Sequence, residues 1–362
     1  MERKLSSIQR IKEILPIEGA DAIELAVVNG WKVVVAKNVG HRVGDLVVYC
    51  EIDSFLPLEP EFEFLRKSSF KKMGDQEGFR LKTIKLRGQV SQGLIIPLKD
   101  AYEICKRNTP NLEMHFFEGL DVSAMLGIVK YEPPIPAQLA GKVKGFFPSF
   151  LRKTDEERVQ NLAKDYEKLK EHTYYITEKL DGSSSTFYVK DGVFGVCSRN
   201  LELSEPEPFV PGQKVMCDDG VEREVQENSY WKVARELDLK NKLLSLERNI
   251  SLQGELIGEG IQGNPYKIKG QTVKFFNAFD IDSQEYLGLE DFMRIIMKLD
   301  LSSVPVLDTG IKLPETVDQL LLAAEGKSSY NPSAEREGLV IRSLDRKISF
   351  KVISNRFLLK SE

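Results

Sequence analysis

Cysteine and histidine are both scarce in this chain, at four and three residues among 362. The cysteines (Cys50, Cys105, Cys197 and Cys217) are widely spaced and include no Cys-x-x-Cys pair. That argues against a zinc site and for reduced thiols in an intracellular compartment. No histidine lies near another in sequence, which disfavours imidazole-based metal or triad chemistry. Long apolar runs are missing too. Stretches such as 33–36 fall far short of a membrane span, and Met1-Glu2-Arg3-Lys4 has no apolar segment behind it of the kind a signal peptide needs. Charge of one sign is also lacking: 51 Lys and Arg against 55 Asp and Glu leave −4, which does not describe a generic nucleic-acid binder. With 41% hydrophobic and 29% charged residues, the chain reads as an ordinary soluble protein of two or three domains.

What is present begins as β structure. Residues 31–37 and 45–52 are strand-like runs, with Gly40 and Gly44 supplying a turn between them. A second pair, 80–86 and 93–98, is joined through 87–92. Short strands with glycine turns over residues 1–130 predict a small barrel, and a five-stranded oligonucleotide-binding (OB) barrel fits the length. Between Arg66 and Arg87, eight basic residues face only Asp75 and Glu77, with Phe70 and Phe79 interleaved. Such a window could track a phosphate backbone while its aromatics stack on bases. It could equally be a solvated loop whose phenylalanines belong to the core, and the residues leave both readings open. Residues 131–147, with the run Glu132-Pro133-Pro134-Ile135-Pro136, read as a linker. Beyond it, Thr154 with Glu157 three residues later predicts a capped helix running through Leu162, Tyr166 and Leu169.

The chemistry gathers after residue 173. Glu178-Lys179-Leu180-Asp181-Gly182-Ser183 stands between two β-rich runs and contains Lys-x-Asp-Gly, a short pattern in which a lysine amine attacks the α-phosphate of a nucleotide. Asp191-Gly192 predicts a tight hairpin that returns Arg199 towards Lys179, where a guanidinium can fork onto phosphate oxygens. Glu255 lies in an apolar strand, where a lone carboxylate is costly without a partner; a metal-bound water, a ribose hydroxyl or a lysine would each serve. A further strand, 273–281, carries Phe275, Phe276 and Phe279 ahead of Asp280. In the closing hairpin, alternation puts Glu337, Leu339 and Ile341 on one face and Gly338, Val340 and Arg342 on the other, with Lys351 on the return strand.

Lys179-x-Asp-Gly, Ser198-Arg199-Asn200, Glu255, Phe279-Asp280, Glu337-Gly338 and Lys351 occur in the order of six motifs shared by ATP-dependent ligases and capping guanylyltransferases. The chain resembles this covalent nucleotidyltransferase superfamily over residues 148–362. With its OB-like part first and eleven residues after Lys351, its layout is similar to that of the Deinococcus-type ATP-dependent RNA ligase family, which has no C-terminal OB domain. The resemblance implies an α+β chain: an N-terminal OB-like β-barrel (1–130), a linker (131–147) and an adenylyltransferase domain (148–362) of antiparallel sheets flanked by helices. It implies ATP as cofactor with Mg2+ or Mn2+, AMP carried on Lys179, and sealing of a 3′-OH/5′-phosphate nick in an RNA or RNA/DNA duplex by a monomer. Asp181, Glu255 and Glu337 would hold the metal, with the ribose an alternative for Glu255. Arg199 and Lys351 would grip phosphate oxygens. Phe279 would stack on adenine, Val340 would press its other face, and Glu178 would set its backbone against the base edge, with Gly182 and Ser184 beside the nucleotide.

One position departs from the pattern. Many relatives have Lys-x-Lys where this chain has Lys351-Val352-Ile353, so either Lys351 suffices or Lys360 or Arg342 compensates. Two other classes share part of the signal: a capping-type guanylyltransferase, and a non-catalytic OB-containing nucleic-acid-binding protein.

Overall fold

The β-branched runs Trp31–Ala36 and Leu46–Cys50 are extended, as their composition requires. They are not each other's partners. Trp31–Ala36 pairs with Ile23–Val28, while Leu46–Cys50 lies between Ser6–Pro16 and Leu94–Pro97. The product is a five-stranded antiparallel sheet that curls into a half-barrel, with a register shift between Ile11 and Glu13 in its longest strand. Ile8, Val48, Phe62, Phe79 and Ile104 fill one side of it; Ile11, Val33, Trp31 and Tyr49 fill the other. The computed structural model describes residues 4–109, 115–132, 143–207, 210, 212, 214–216, 222–224 and 227–361, so most of the expected linker lies outside the described residues.

The strand expected at 80–86 divides. Gln76–Arg80 lies inside one sheet, between Ser54–Leu56 and Phe70–Met73, and Thr83–Leu86 pairs with Gln89–Gln92 in a separate hairpin. Gly93 enforces the break before Leu94–Pro97. Its φ is +97°, and a Cβ there would stand 2.4 Å from the Cys50 carbonyl oxygen.

The second half of the chain forms two larger sheets. Seven strands include Ser183–Lys190, Ile250–Gly258 and Gln271–Asp280 as central neighbours; five include Tyr174–Lys179 between Gly338–Ser343 and Val306–Ile311. Helices cover the outer faces. Ser229–Glu236, Leu239–Leu244 and Leu289–Lys298 bury Trp231, Leu243 and Phe292 against the first sheet, and Val317–Ala324 buries Leu320 and Leu321 against the second. Each such side chain, withdrawn from water, contributes about 1.5–3 kcal/mol. The inner faces are left to line a cavity. Among the described residues, no helix is long and apolar enough to cross a membrane.

The helix expected from Thr154 to Leu169 is not formed over its first half. Glu157–Arg158 instead pairs in parallel with Phe350–Lys351, and the α-helix is confined to Tyr166–Lys170. Tertiary contacts override the capping signal here. Arg158 is buried, lies 5.8 Å over the Trp31 ring and donates to Asp53 at 3.3 Å, so this segment fastens the barrel to the second sheet. Trp31 Nε1 donates to Asn161 Oδ1 at 2.5 Å, and Ile353 and Leu358 pack into the barrel's Trp31 side.

Candidate active site

Lys179, Leu180, Asp181 and Gly182 form the crossover by which the chain leaves the five-stranded sheet and enters the seven-stranded one. The lysine therefore sits at the mouth between two sheets, where side chains from both can meet it. Gly182 is needed for the passage: a Cβ would lie 2.4 Å from the Leu256 carbonyl oxygen. Strand Tyr174–Lys179 pairs with Gly338–Ser343 so that Lys179 faces Gly338, which brings the preceding Glu337 alongside. Lys179 Nζ donates to both its carboxylate oxygens, at 2.7 and 2.8 Å.

Glu255 comes from the other sheet, opposite Ser184. Lys179, Asp181, Gly182, Ser184, Glu255 and Glu337 all line one cavity of about 460 Å³, within the range of small-molecule sites. Burial drives Asp181 and Glu255 towards their neutral forms. Asp181 is pushed up to about 7 by desolvation and then by Glu337, against the pull of Lys179. Glu255 is pushed up to about 8, again by burial first. Burial lowers the Lys179 amine, but Glu337, Glu255 and Asp181 outweigh it and the amine stays protonated. Three carboxylates crowded on one lysine are hard oxygen donors, a set that suits Mg2+ or Mn2+. Among the described residues no three acids close tightly enough to cage a bare ion, so water would have to complete its shell.

Cations also line the cavity, and Asp155 gathers three of them. Its carboxylate accepts Lys351 Nζ at 2.9 Å, Lys130 Nζ at 3.2 Å and Arg199 Nη2 at 3.3 Å. Burial opposes ionisation of Asp155, but Lys351, Lys130 and Arg199 hold it well below the ordinary carboxylate range. The tight hairpin Ser183–Lys190/Val193–Cys197 does return Arg199 to the lysine's cavity, and Lys351 lies on the closing hairpin as its strand position requires. Arg342 also lines the cavity, donating to Glu156 at 2.8 Å and Thr177 at 3.3 Å, whereas Lys360 is exposed and paired with Glu335. Ile353, the odd residue of the last motif, reaches from the cavity wall into the barrel core beside Trp31 and Tyr49.

The main correction concerns where Phe279 lies. Phe279 does not reach the cavity: it is fully buried, 5.1 Å from the Tyr286 ring, in a cluster with Leu151 and Tyr188. Phe276 lines the cavity instead, as does Val340. A β-bulge falls between the two rings, and Phe279 lies further along the strand, in that separate cluster. Gln253 faces Asn277 and Gly254 faces Phe275, so Phe276 has no partner across the strand pair; it stays on the face of Lys274, while Ala278 returns to the outer core with Phe275. Glu178 is almost wholly buried; its N–H already donates to the Pro305 carbonyl at 2.9 Å, and its Oε2 accepts the Ser329 N–H at 2.9 Å.

Asp53, Lys130, Asp155, Glu156 and Arg158 were not singled out from the sequence, although all line the cavity. Thr154-Asp155-Glu156-Glu157-Arg158 looks like the acidic first turn of a helix, and nothing local in it announces a site. Of the basic window, Arg66 pairs with Glu63, Lys72 with Glu77 and Arg80 with Asp53. Phe79 is fully buried and Phe70 packs edge-on against it, so these rings belong to the core.

The RNA ligase family model matches residues 172–360, and an OB-fold domain model matches residues 5–98. No curated protein gives a significant match. Among solved structures, an apo mutant of Naegleria gruberi RNA ligase is 41% identical, with 98% of this chain and 97% of that one covered at a TM-score of 0.85. A mutant of the same ligase with ATP and Mn is 41% identical over 98% of each chain, TM-score 0.84. A form with PPi is 41% identical over 99% of this chain and 98% of that one, also at 0.84.

Proposed function

The chain belongs to the RNA ligase family, and from that premise we propose that it is an ATP-dependent RNA ligase of the Deinococcus-type layout, sealing 3′-OH/5′-phosphate nicks in duplexes through AMP carried on Lys179. The observation that carries this reading is Lys179 itself, held at a sheet crossover among the acids and cations that line one cavity. The related Naegleria ligase has been solved with ATP and with PPi, the substrate and leaving group such a first step requires.

In that step the Lys179 amine attacks the α-phosphorus of ATP. An N–P bond forms, the bond to the bridging oxygen breaks and pyrophosphate leaves. The lysine must first release a proton, and Glu337, bonded to it through both oxygens, is placed to take it. A divalent cation held by Asp181, Glu255 and Glu337 would offset the negative charge that keeps Lys179 protonated. Arg199 and Lys351 grip phosphate oxygens once these displace the Asp155 carboxylate. Adenine stacks on Phe276 with Val340 on its other face, and the Glu178 carbonyl meets the base edge. AMP then passes to the 5′-phosphate of the nick: an O–P bond forms, the N–P bond breaks and the lysine regains its proton. Attack by the 3′-OH on that activated end joins the strands and expels AMP. All three steps are in-line displacements, so positioning and charge stabilisation carry the catalysis. In this reading residues 1–130 form the OB unit and 148–362 the adenylyltransferase unit, linked by 131–147, and the chain works as an intracellular monomer.

Incubation with α-labelled ATP should label the wild type and leave Lys179→Ala unlabelled. Labelling by GTP alone would make the protein a capping-type guanylyltransferase and overturn the proposal.

A further inference from the structure

We propose that the hairpin Thr83–Leu86/Gln89–Gln92 is a docking surface for the ribose-phosphate backbone of the duplex being sealed, an inference that rests on the function proposed above. The hairpin is a two-stranded sheet of its own, fixed at its base and bare at its tip. At the base, Ser91 Oγ accepts the Val34 N–H at 3.0 Å, the Tyr49 hydroxyl donates to the Gln92 carbonyl at 3.1 Å, and Gln92 Nε2 donates to Thr83 Oγ1 at 3.3 Å. At the tip, Arg87 and Gly88 have φ of +47° and +83°, the primed-turn geometry that a two-residue connection needs. Its shape is therefore set.

Every residue from 84 to 89 is exposed, including Ile84 and Leu86 at 46% and 40%. Alternation places those two on one face and Lys85 on the other. The ribbon thus displays two neighbouring apolar side chains beside the cations Lys85 and Arg87.

Charge decides the occupant. Residues 78–99 contain five basic residues and no acidic one, in a chain whose net charge is −4. Arg66, Lys72 and Arg80 of the basic window are taken by acids, but among the described residues no acid pairs with Lys85 or Arg87. A polyanion complements such a face, and a second copy of this acidic chain does not.

Position agrees with charge. Thr83–Leu86 packs against the C-terminal helix Asn355–Ser361, whose Leu358 lines the nucleotide cavity together with Ile353. A duplex resting on the hairpin would pass the cavity mouth with its backbone held and its bases unread, as phosphate contacts position without specifying sequence.

The test compares full-length wild type with the double variant Lys85→Ala/Arg87→Ala. Binding of a nicked RNA duplex is titrated across salt, sealing and lysyl-AMP formation are timed, and the oligomeric state is recorded. The expected result is on the order of 10-fold weaker duplex binding, with the slope of log affinity against log salt shallower by roughly 2, since each lost phosphate contact removes about 0.9. Sealing falls with binding while lysyl-AMP forms at the wild-type rate. Unchanged affinity and slope would overturn the proposal. So would an equal loss of lysyl-AMP formation, which would make the hairpin structural, or a change of oligomeric state, which would make it an interface between copies. A wild type that forms no lysyl-AMP defeats the proposed function itself, whatever the hairpin does.

Discussion

Asp181→Asn should make the protein more stable as it removes a group the proposed chemistry uses. Burial and the nearby Glu337 push the Asp181 carboxyl up to about 7 in the folded chain, whereas it titrates near 4 when unfolded. Between those values the folded protein retains a proton that the unfolded chain has released. Stability therefore falls as pH rises from about 4 to about 7, and the whole penalty is present above that window. A gap of about three pH units at about 1.4 kcal/mol each sets a ceiling near 4 kcal/mol. Water reaching the carboxylate from the open cavity screens the charge, and about 2 kcal/mol is a reasonable expectation. Asparagine keeps the shape and never ionises. In EDTA without nucleotide, thermal unfolding of the variant at pH 8 should come roughly 4–8 °C above wild type, and the gain should vanish near pH 4. Added Mn2+ should narrow the difference at pH 8, because it stabilises the form that binds it. A gain of equal size at pH 4 and pH 8, or a loss at pH 8, would refute this account of the acid wall.

The two phenylalanines should separate cleanly. Phe276→Ala should raise the KM for ATP by about 10-fold, in line with the 1–3 kcal/mol that base–aromatic stacking is worth, and change stability little. Phe279→Ala should instead cost about 3–5 kcal/mol of stability with the KM for ATP unchanged, as measured by denaturant unfolding and nucleotide kinetics. Ile353→Ala opens a void beside Trp31 and Tyr49 and should cost about 2–4 kcal/mol. Because it loosens the barrel against the site, sealing should fall further than lysyl-AMP formation; the reverse order would show that Ile353 acts chiefly through the shape of the cavity it lines.

What could be read from the sequence was what strand alternation and tight turns determine locally. Lys179, Arg199, Glu255, Glu337 and Lys351 each sit on, or at the end of, a strand with a strong pattern, and the Asp191-Gly192 turn fixes where Arg199 returns. What could not be read was set by distant contacts. Which of the three phenylalanines of 273–281 lines the cavity depends on where the neighbouring strands close over it, and Phe276 does so while Phe279 packs with Tyr188. The segment after Thr154 carries a helix-start signal that pairing with Phe350–Lys351 overrides, which concealed Asp155 as the hub of the cations. Ile353 looked like a lost phosphate contact and is instead a bolt into the barrel. The basic window looked like one feature, but its structure divides it into acid-paired residues (Arg66, Lys72 and Arg80) and a bare hairpin.

The central claim is that strand ends are joined through Lys179, and a nicked-duplex sealing assay tests it most directly. Duplexes carrying RNA or DNA on either side of a 3′-OH/5′-phosphate nick are incubated with ATP and Mg2+ or Mn2+, using wild type and Lys179→Ala. The account predicts joined product from nicks with an RNA 3′-OH strand, accompanied by AMP release, and none from the variant. Sealing confined to DNA, or product that survives Lys179→Ala, would contradict it.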